Sequence, residues 1–153
     1  MWSGTTTAAN AAGASGVFSG LFVSQILGIA YDAPARRLSF RPLRAAGSFA
    51  WEGVRLGSGA FNLSYRQEGN VAEAIAANFS ARAVAVLVEL PCEQAASAQA
   101  FINGKPARDR VENGYHNGCE TVIFQDTLQP GEHKSFIITA YVPYDTLDNQ
   151  SLT

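Results

Sequence analysis

The chain has 153 residues, enough for one domain with a sizeable core. Hydrophobic residues make up 47% of the chain and charged residues only 16%, a balance typical of a globular protein rather than a disordered one. The net charge is −2 and the largest basic cluster is the pair Arg36 and Arg37, so we expect neither nucleic acid nor a membrane as a partner.

Residues that commonly hold metal ions are few. The cysteines are Cys92 and Cys119, which have no C-x-x-C spacing, and the histidines are His116 and His133. This set argues against a zinc or thioredoxin-type site. No phosphate-binding loop is present either, so we expect no metal and no other cofactor. The two cysteines could form one disulfide bond or remain reduced, and the sequence leaves both alternatives open.

The beginning of the chain differs in composition from the rest. Residues 1–16 are small, polar and rich in glycine, which is typical of a flexible segment. Apolar residues then recur every three or four positions, which predicts a short amphipathic helix over residues 17–29. This run is short for a membrane span, and no Lys or Arg precedes it, so we predict neither a transmembrane helix nor a signal peptide. The localisation stays open, and the periplasm and the extracellular space are among the alternatives.

After a turn at Asp32–Pro34 the apolar period changes to two, which is the period of β-strands. Asp32 is expected to accept backbone N–H bonds within this turn. The clearest strand lies in residues 81–91, where four apolar side chains share one face: Val84, Val86, Val88 and Leu90. The other predicted strands lie in residues 37–41, 49–56, 61–65, 71–79, 121–124 and 135–142.

Turn signals separate these strands at intervals of about ten residues. Asn103 and Gly104 predict a two-residue hairpin turn of type I′, since both residue types tolerate a positive φ. Residues 114–118 are expected to form a loop. We therefore predict a mostly β protein, an antiparallel β-sandwich of about eight strands in residues 17–143, led by the helix and followed by a C-terminal tail at 144–153.

Several short motifs follow one another in a distinctive order between residues 17 and 142. The apolar segment precedes YDAP at residues 31–34 and LSFRP at 38–42, and VELP, NGKP and LQPGE come later. This order resembles the C-terminal region of bacterial six-hairpin glycoside hydrolases, in which an (α/α)6 barrel of helices is followed by a β-sandwich. The catalytic carboxylates of that family lie in the barrel. The resemblance therefore implies a sandwich separated from its catalytic barrel, and it supplies no catalytic residue.

The resemblance implies a non-catalytic accessory module with a structural or assembly role. A small stand-alone glycoside hydrolase and a carbohydrate-binding module are the alternatives, so the sequence leaves open whether the chain is an enzyme. Acidic pairs such as Glu52 with Glu73, or Glu89 with Glu120, could serve hydrolysis, but nothing in the sequence selects them. The apolar stripe of the predicted helix has to be buried, so we expect a homo-oligomer or contact with the missing barrel.

Two places could bind a carbohydrate. Trp51 could stack on a pyranose ring, although packing in the core is its simpler role, and alternation turns its neighbour Glu52 to the opposite face. The segment 112–118 is expected at one end of the sandwich, where binding loops commonly occur, and a solvated hairpin turn is its simpler interpretation. Its candidate binding residues are Asn113, Tyr115 and His116.

Overall fold

The computed structural model describes residues 27–43 and 47–140. Within these ranges the chain forms β-strands and two single-turn 3₁₀ helices, at Ala95–Ser97 and Arg108–Arg110. The strands are β1 (Ile29–Asp32), β2 (Arg37–Phe40), β3 (Phe49–Leu56), β4 (Gly59–Glu68), β5 (Val71–Asn78), β6 (Val84–Pro91), β7 (Gln99–Ile102), β8 (Lys105–Pro106), β9 (Val111–His116), β10 (Cys119–Leu128) and β11 (His133–Thr139).

The strands form two sheets with the core between them. The five-stranded sheet has the order β1-β2-β6-β10-β9, and the six-stranded sheet has the order β3-β4-β5-β11-β7-β8. The alternating valines of β6 and Leu90 are buried, as their period of two predicts. Across the sheets, the rings of Phe124 and Phe136 meet edge to face with centroids 5.4 Å apart. The predicted β-sandwich is confirmed.

Two features of the sandwich differ from the sequence prediction. The described residues contain eleven strands rather than about eight, because several predicted loops include short paired segments. The sheets are also not wholly antiparallel, since β2 pairs with β6 in parallel and aligns Phe40 with Val88. Residue periodicity shows which face of a strand is buried but not which strand lies beside it, so the parallel pair could not be predicted.

The predicted leading helix is not supported where the structure describes it. Residues 17–26 lie outside the described residues, and Leu27 and Gly28 are not helical. Gly28 has a φ of +70°, and a Cβ there would lie 1.8 Å from the carbonyl oxygen of Arg41. Ile29 already belongs to β1. Gly28 instead lets the chain pass close to the end of β2, where its carbonyl oxygen accepts the N–H of Arg41 at 2.7 Å.

The predicted turns have mixed outcomes. Asn103 and Gly104 have φ values of +52° and +78° between β7 and β8, which confirms the hairpin turn. Asp32 Oδ1 accepts the N–H of Ala35 at 3.2 Å, so its predicted role in the turn is also confirmed. The loop predicted at 114–118 is wrong, since β9 continues to His116 and only the two residues before β10 form the turn.

Some predictions fall outside the described residues. The flexible segment at 1–16 and the C-terminal tail at 144–153 are among them, and the domain boundaries stay predictions. Cys92 and Cys119 are not joined by a disulfide bond in the structure. Within the described ranges no helical segment has the length and apolar character needed to cross a bilayer.

Candidate functional site

A cleft of about 260 Å³ lies over the end of the five-stranded sheet, and we call it the Glu89 cleft. Glu89 lies on β6 between Val88 and Leu90, which both point into the core, so alternation turns Glu89 to the outer face of the sheet. Its lining includes Pro42, Glu89, Pro91, His116, Asn117 and Thr121.

Glu89 is a nearly buried acid with partners for both of its oxygens. Thr121 Oγ1 donates a hydrogen bond to Oε2 at 2.6 Å. Arg41 Nε lies 3.4 Å from Oε1, and the side chains of Arg41 and Glu89 are 43% and 7% exposed. Burying a carboxylate is costly unless it is paired and hydrogen-bonded, and these two contacts meet that requirement.

The parallel pairing of β2 with β6 brings Arg41 to this carboxylate. Phe40, the last residue of β2, lies opposite Val88. Because the strands are parallel, the next residues along the two chains, Arg41 and Glu89, are neighbours as well. On the other side of β6, β10 runs antiparallel and aligns Thr121 with Pro91. The site therefore depends on three strands that are distant in sequence.

Gly114 on β9 leaves the space that the carboxylate uses. A Cβ at this position would lie 2.6 Å from Ile123 Cδ1, 2.8 Å from Thr121 Oγ1 and 3.1 Å from Glu89 Oε2. Distances under about 3.0 Å are overlaps, so a larger residue would have to displace Ile123 and the Thr121 hydroxyl. Glycine at this position thus allows Glu89 and Thr121 to meet beside β9.

Of the predicted binding residues, His116 is the one that lines the Glu89 cleft. It ends β9 and pairs with Cys119 at the start of β10. Its Nε2 atom lies 3.1 Å from the amide nitrogen of Asn117. His116, Asn117 and Glu89 therefore give the cleft an imidazole, an amide and a carboxylate, next to the apolar surface of Pro42 and Pro91.

Asn113 and Tyr115 belong to the other face of β9, because alternation separates them from Gly114 and His116. The Tyr115 side chain is 71% exposed. Asn113 Oδ1 accepts a hydrogen bond from Arg108 Nη2 at 2.9 Å. The predicted cluster of Asn113, Tyr115 and His116 is thus divided between two faces, and its role in carbohydrate binding stays a prediction.

Trp51 lies in the other sheet. It is on β3, pairs with Leu63 and is half-buried against the core. Glu52 is exposed, as alternation predicts. A bulge follows Trp51, and there the N–H of Gly53 donates to Asn62 Oδ1 at 2.7 Å. Since Trp51 and Tyr115 belong to different sheets, the structure does not bring them into one site.

A separate ionic cluster joins the two sheets at Asp126. Lys134 Nζ lies 3.0 Å from Oδ1 and Arg110 Nη2 lies 3.4 Å from Oδ2. Burial raises the pKa of Asp126, but the backbone N–H of Thr127 and the two cations lower it by more, so the pKa lies below its ordinary 3.8. Because β10 and β11 belong to different sheets, this cluster stabilises the sandwich at its side.

The sequence contains one signal for the Glu89 cleft. Glu89 is the single charged residue of β6, whose other residues are apolar. A charge in an otherwise apolar strand needs a partner or an exit to solvent. The identity of its partners, Arg41 and Thr121, follows from strand order and could not be read from local sequence.

Comparison with known proteins leaves the family open. No protein-family model and no curated protein matches the chain. Among solved structures, the chain is similar to a GH30 endoxylanase from Clostridium papyrosolvens C71, with a TM-score of 0.34 and 16% sequence identity. The match covers 57% of this chain and 22% of the endoxylanase chain. This is a weak likeness to part of a glycoside hydrolase, so function has to be inferred from the geometry.

Proposed function

We propose that the protein is a non-catalytic β-sandwich module that binds a carbohydrate in the Glu89 cleft and acts as an accessory part of a carbohydrate-active enzyme. The observation that carries the proposal is the arrangement of Glu89, whose carboxylate is held in place by Arg41 and Thr121 at the floor of an open cleft. Small-molecule sites combine a few fixed polar groups with apolar walls, and this cleft has both.

The polar groups of the cleft keep hydrogen-bonding capacity for sugar hydroxyls. Arg41 Nε is buried 3.4 Å from Glu89 Oε1 and Arg41 does not line the cleft, so Arg41 orients the carboxylate rather than contacting a sugar. His116 and Asn117 add groups that can donate or accept at the rim. The half-buried Leu43 and the buried Pro42 and Pro91 give the cleft apolar walls.

Binding fits this geometry better than hydrolysis does. Most glycoside hydrolases use two carboxyl groups, separated by about 5 to 10 Å, on either side of the scissile bond. Glu89 is the one carboxylate among the described residues that line the cleft. Its two oxygens are engaged by Arg41 and Thr121, an arrangement that fixes the orientation of an acceptor rather than one that moves a proton.

The binding test is affinity electrophoresis of the whole chain in gels that contain soluble xylan, β-glucan or mannan. We expect at least one polysaccharide to retard the wild type, and Glu89→Gln to weaken this retardation at least tenfold. Glu52→Gln is the matched control, because Glu52 is an exposed acid on the other sheet. Thermal melting verifies that each variant folds. Migration of the wild type unaffected by all polysaccharides, or equal retardation of folded Glu89→Gln, would refute binding in this cleft.

Hydrolysis is tested on the same polysaccharides by release of reducing ends. We expect none from the wild type. Turnover that disappears in the folded Glu89→Gln variant would replace the accessory module with the alternative of a small glycoside hydrolase.

The exposed ring of Tyr115 points to a second binding surface, since an exposed ring on an edge strand can stack on a sugar. In the same gels, Tyr115→Ala would reduce retardation if this ring takes part, whereas Glu89→Gln would then have little effect. Trp51→Ala tests the other predicted aromatic residue, with a loss of stability expected because Trp51 packs against the core.

The assembly role is tested by the mass of the chain in solution. Only 16% of the residues are charged, which suits a protein with part of its surface covered. We propose a homo-oligomer, and light scattering after size exclusion should give a multiple of the 16.3 kDa chain mass. A monomer over the accessible concentration range would contradict self-association and leave a catalytic body as the proposed partner.

A further inference from the structure

A second cleft, which we call the Arg36 cleft, lies at the end of the sandwich away from Glu89. Its volume is about 510 Å³, within the roughly 300 to 1,000 Å³ of small-molecule sites. Three connections build it, namely those between β1 and β2, between β3 and β4, and between β5 and β6. Its lining includes the side chains of Tyr31, Arg36, Ser58, Ser80 and Arg82.

The charge of the Arg36 cleft is opposite to that of the whole chain. Arg36 and Arg82 both line it, and neither forms an ion pair with a described residue. The described lining contains no carboxylate. Two guanidinium groups that have no ion pair to the described residues thus line one cleft of a protein whose net charge is −2. A guanidinium group presents parallel N–H donors that match the two oxygens of a carboxylate.

Hydrogen bonds fix the backbone of Arg36. Arg36 is in the left-handed region at φ +49°, where its N–H donates to Ala33 at 3.2 Å and its carbonyl oxygen accepts from Ala85 at 2.9 Å. A non-glycine residue in this region is uncommon, and fixed strain of this kind often accompanies function.

Asn78 fixes the backbone of the segment that carries Ser80 and Arg82. It is fully buried, and its Nδ2 atom donates to the carbonyl oxygen of Arg82 at 2.9 Å while Oδ1 accepts the N–H of Ser80 at 2.9 Å. Ser80 Oγ in turn accepts the N–H of Ala60 at 2.9 Å. The segment that carries Arg82 is therefore ordered before any ligand arrives, which reduces the entropy lost on binding.

The remaining surface suits a sugar ring. The Tyr31 ring is half-buried and fixed by contact with Phe61, at a centroid distance of 5.4 Å. Ser58 is exposed at the rim and brings a hydroxyl group to the cleft. An aromatic wall, a hydroxyl and two cations form a set that matches a pyranose bearing an acidic group.

We propose that the Arg36 cleft binds a saccharide that carries a carboxylate group, a uronic acid. Arg36 and Arg82 bind the carboxylate, Tyr31 packs against the sugar ring, and Ser58 bonds to a ring hydroxyl. The site is distinct from the Glu89 cleft, and its existence does not depend on carbohydrate binding there.

The test is calorimetric titration of the whole chain with trigalacturonic acid. Its methyl ester is the matched ligand, since it keeps the sugar rings and removes the charge. We expect the acid to bind at least tenfold more tightly than the ester, and binding to weaken as the salt concentration rises. Equal affinity for the acid and the ester would overturn the proposal. Acetate is a third ligand, and affinity for acetate equal to that for the trisaccharide would mean an adventitious ion only.

The protein variants separate this site from the rest of the surface. Arg36→Gln and Arg82→Gln should each weaken binding at least tenfold, whereas Lys105→Gln, the same change of charge at an exposed position on β8, should stay within twofold. Glu89→Gln should bind the acidic trisaccharide like the wild type, so the failure of one cleft is distinguishable from that of the other. Unchanged binding by folded Arg36→Gln and Arg82→Gln would refute the assignment.

Discussion

Asn78 gives the sharpest test of how this fold is held together. Its side chain makes three hydrogen bonds, since Nδ2 donates to the carbonyl oxygens of Arg82 and Leu128 and Oδ1 accepts the N–H of Ser80. These bonds connect the end of β5 both to the segment before β6 and to the end of β10. Asn78→Ala removes all three while leaving the backbone of β5 unchanged.

The expected loss can be estimated from these contacts. A hydrogen bond within a protein contributes about 1 kcal/mol net, so the bonds to Ser80 and Arg82 together contribute about 2 kcal/mol. Leu128 is fully buried, and a carbonyl group left without a partner there costs about 1 to 3 kcal/mol more. Ser80 and Arg82 lie nearer the surface and can bond to water instead. We expect Asn78→Ala to lower the free energy of unfolding by about 3 to 5 kcal/mol, a large share of the roughly 5 to 15 kcal/mol of a typical domain.

The measurement is equilibrium unfolding in urea, monitored by circular dichroism. Asn70→Ala is the control, because Asn70 also uses Nδ2 to reach a backbone carbonyl, that of Ala140 at 3.0 Å, but it is exposed. Its loss should be below about 1 kcal/mol. Similar losses for the two variants would show that burial does not increase the contribution of the Asn78 hydrogen bonds to stability. A folded Asn78→Ala protein should also bind the acidic trisaccharide less tightly, because the Arg82 segment loses its anchor.

Three further variants test other parts of the structure. Gly114→Ala should lower the free energy of unfolding by about 1 to 3 kcal/mol in urea, since its methyl group would overlap Ile123 and Thr121, and wild-type stability would refute this crowding. Phe124→Ala should lower the free energy of unfolding by about 3 to 5 kcal/mol in the same assay, and a decrease below about 1 kcal/mol would contradict the position of Phe124 in the core. For Asp126→Asn, the lowered pKa of Asp126 means that its contribution is present above pH 3.8 and disappears as the pH falls through the lowered value. The gap in unfolding free energy between wild type and Asp126→Asn should therefore narrow in that acidic range, and a gap independent of pH would argue against the ion pairs.

The sequence predicts much of the sandwich because local patterns determine which residues face inward. The alternating apolar residues of β6 and the turn at Asn103 and Gly104 are both confirmed. The strand through His116 is harder to predict, since β9 is a polar edge strand with no alternating apolar face and with Val111 as its one β-branched residue. Residues 114–118 therefore read as a loop, although pairing with β10 extends β9 to His116.

The Glu89 cleft was harder to predict, because its residues meet only through tertiary pairing. Glu89 and Thr121 are 32 positions apart, and nothing local to either residue indicates the other. Gly114 is similarly uninformative in sequence, where it resembles one more turn glycine. In the structure it marks the place where a side chain would overlap Ile123 and the Thr121 hydroxyl.

The parallel pairing of β2 with β6 explains why two clefts of opposite character occur in so small a protein. In a parallel pair, the residues before both strands meet at one end and the residues after both strands meet at the other. Arg36 precedes β2 and Val84 begins β6, and both line the Arg36 cleft. Arg41 follows β2 and contacts Glu89 near the end of β6. Arg36 and Arg41 are five positions apart on extended chain, a distance of roughly 17 Å. The same strand therefore places a cationic and a carboxylate-centred site at its two ends, and a change that displaces β2 should impair both, whereas Glu89→Gln or Arg82→Gln should impair only one.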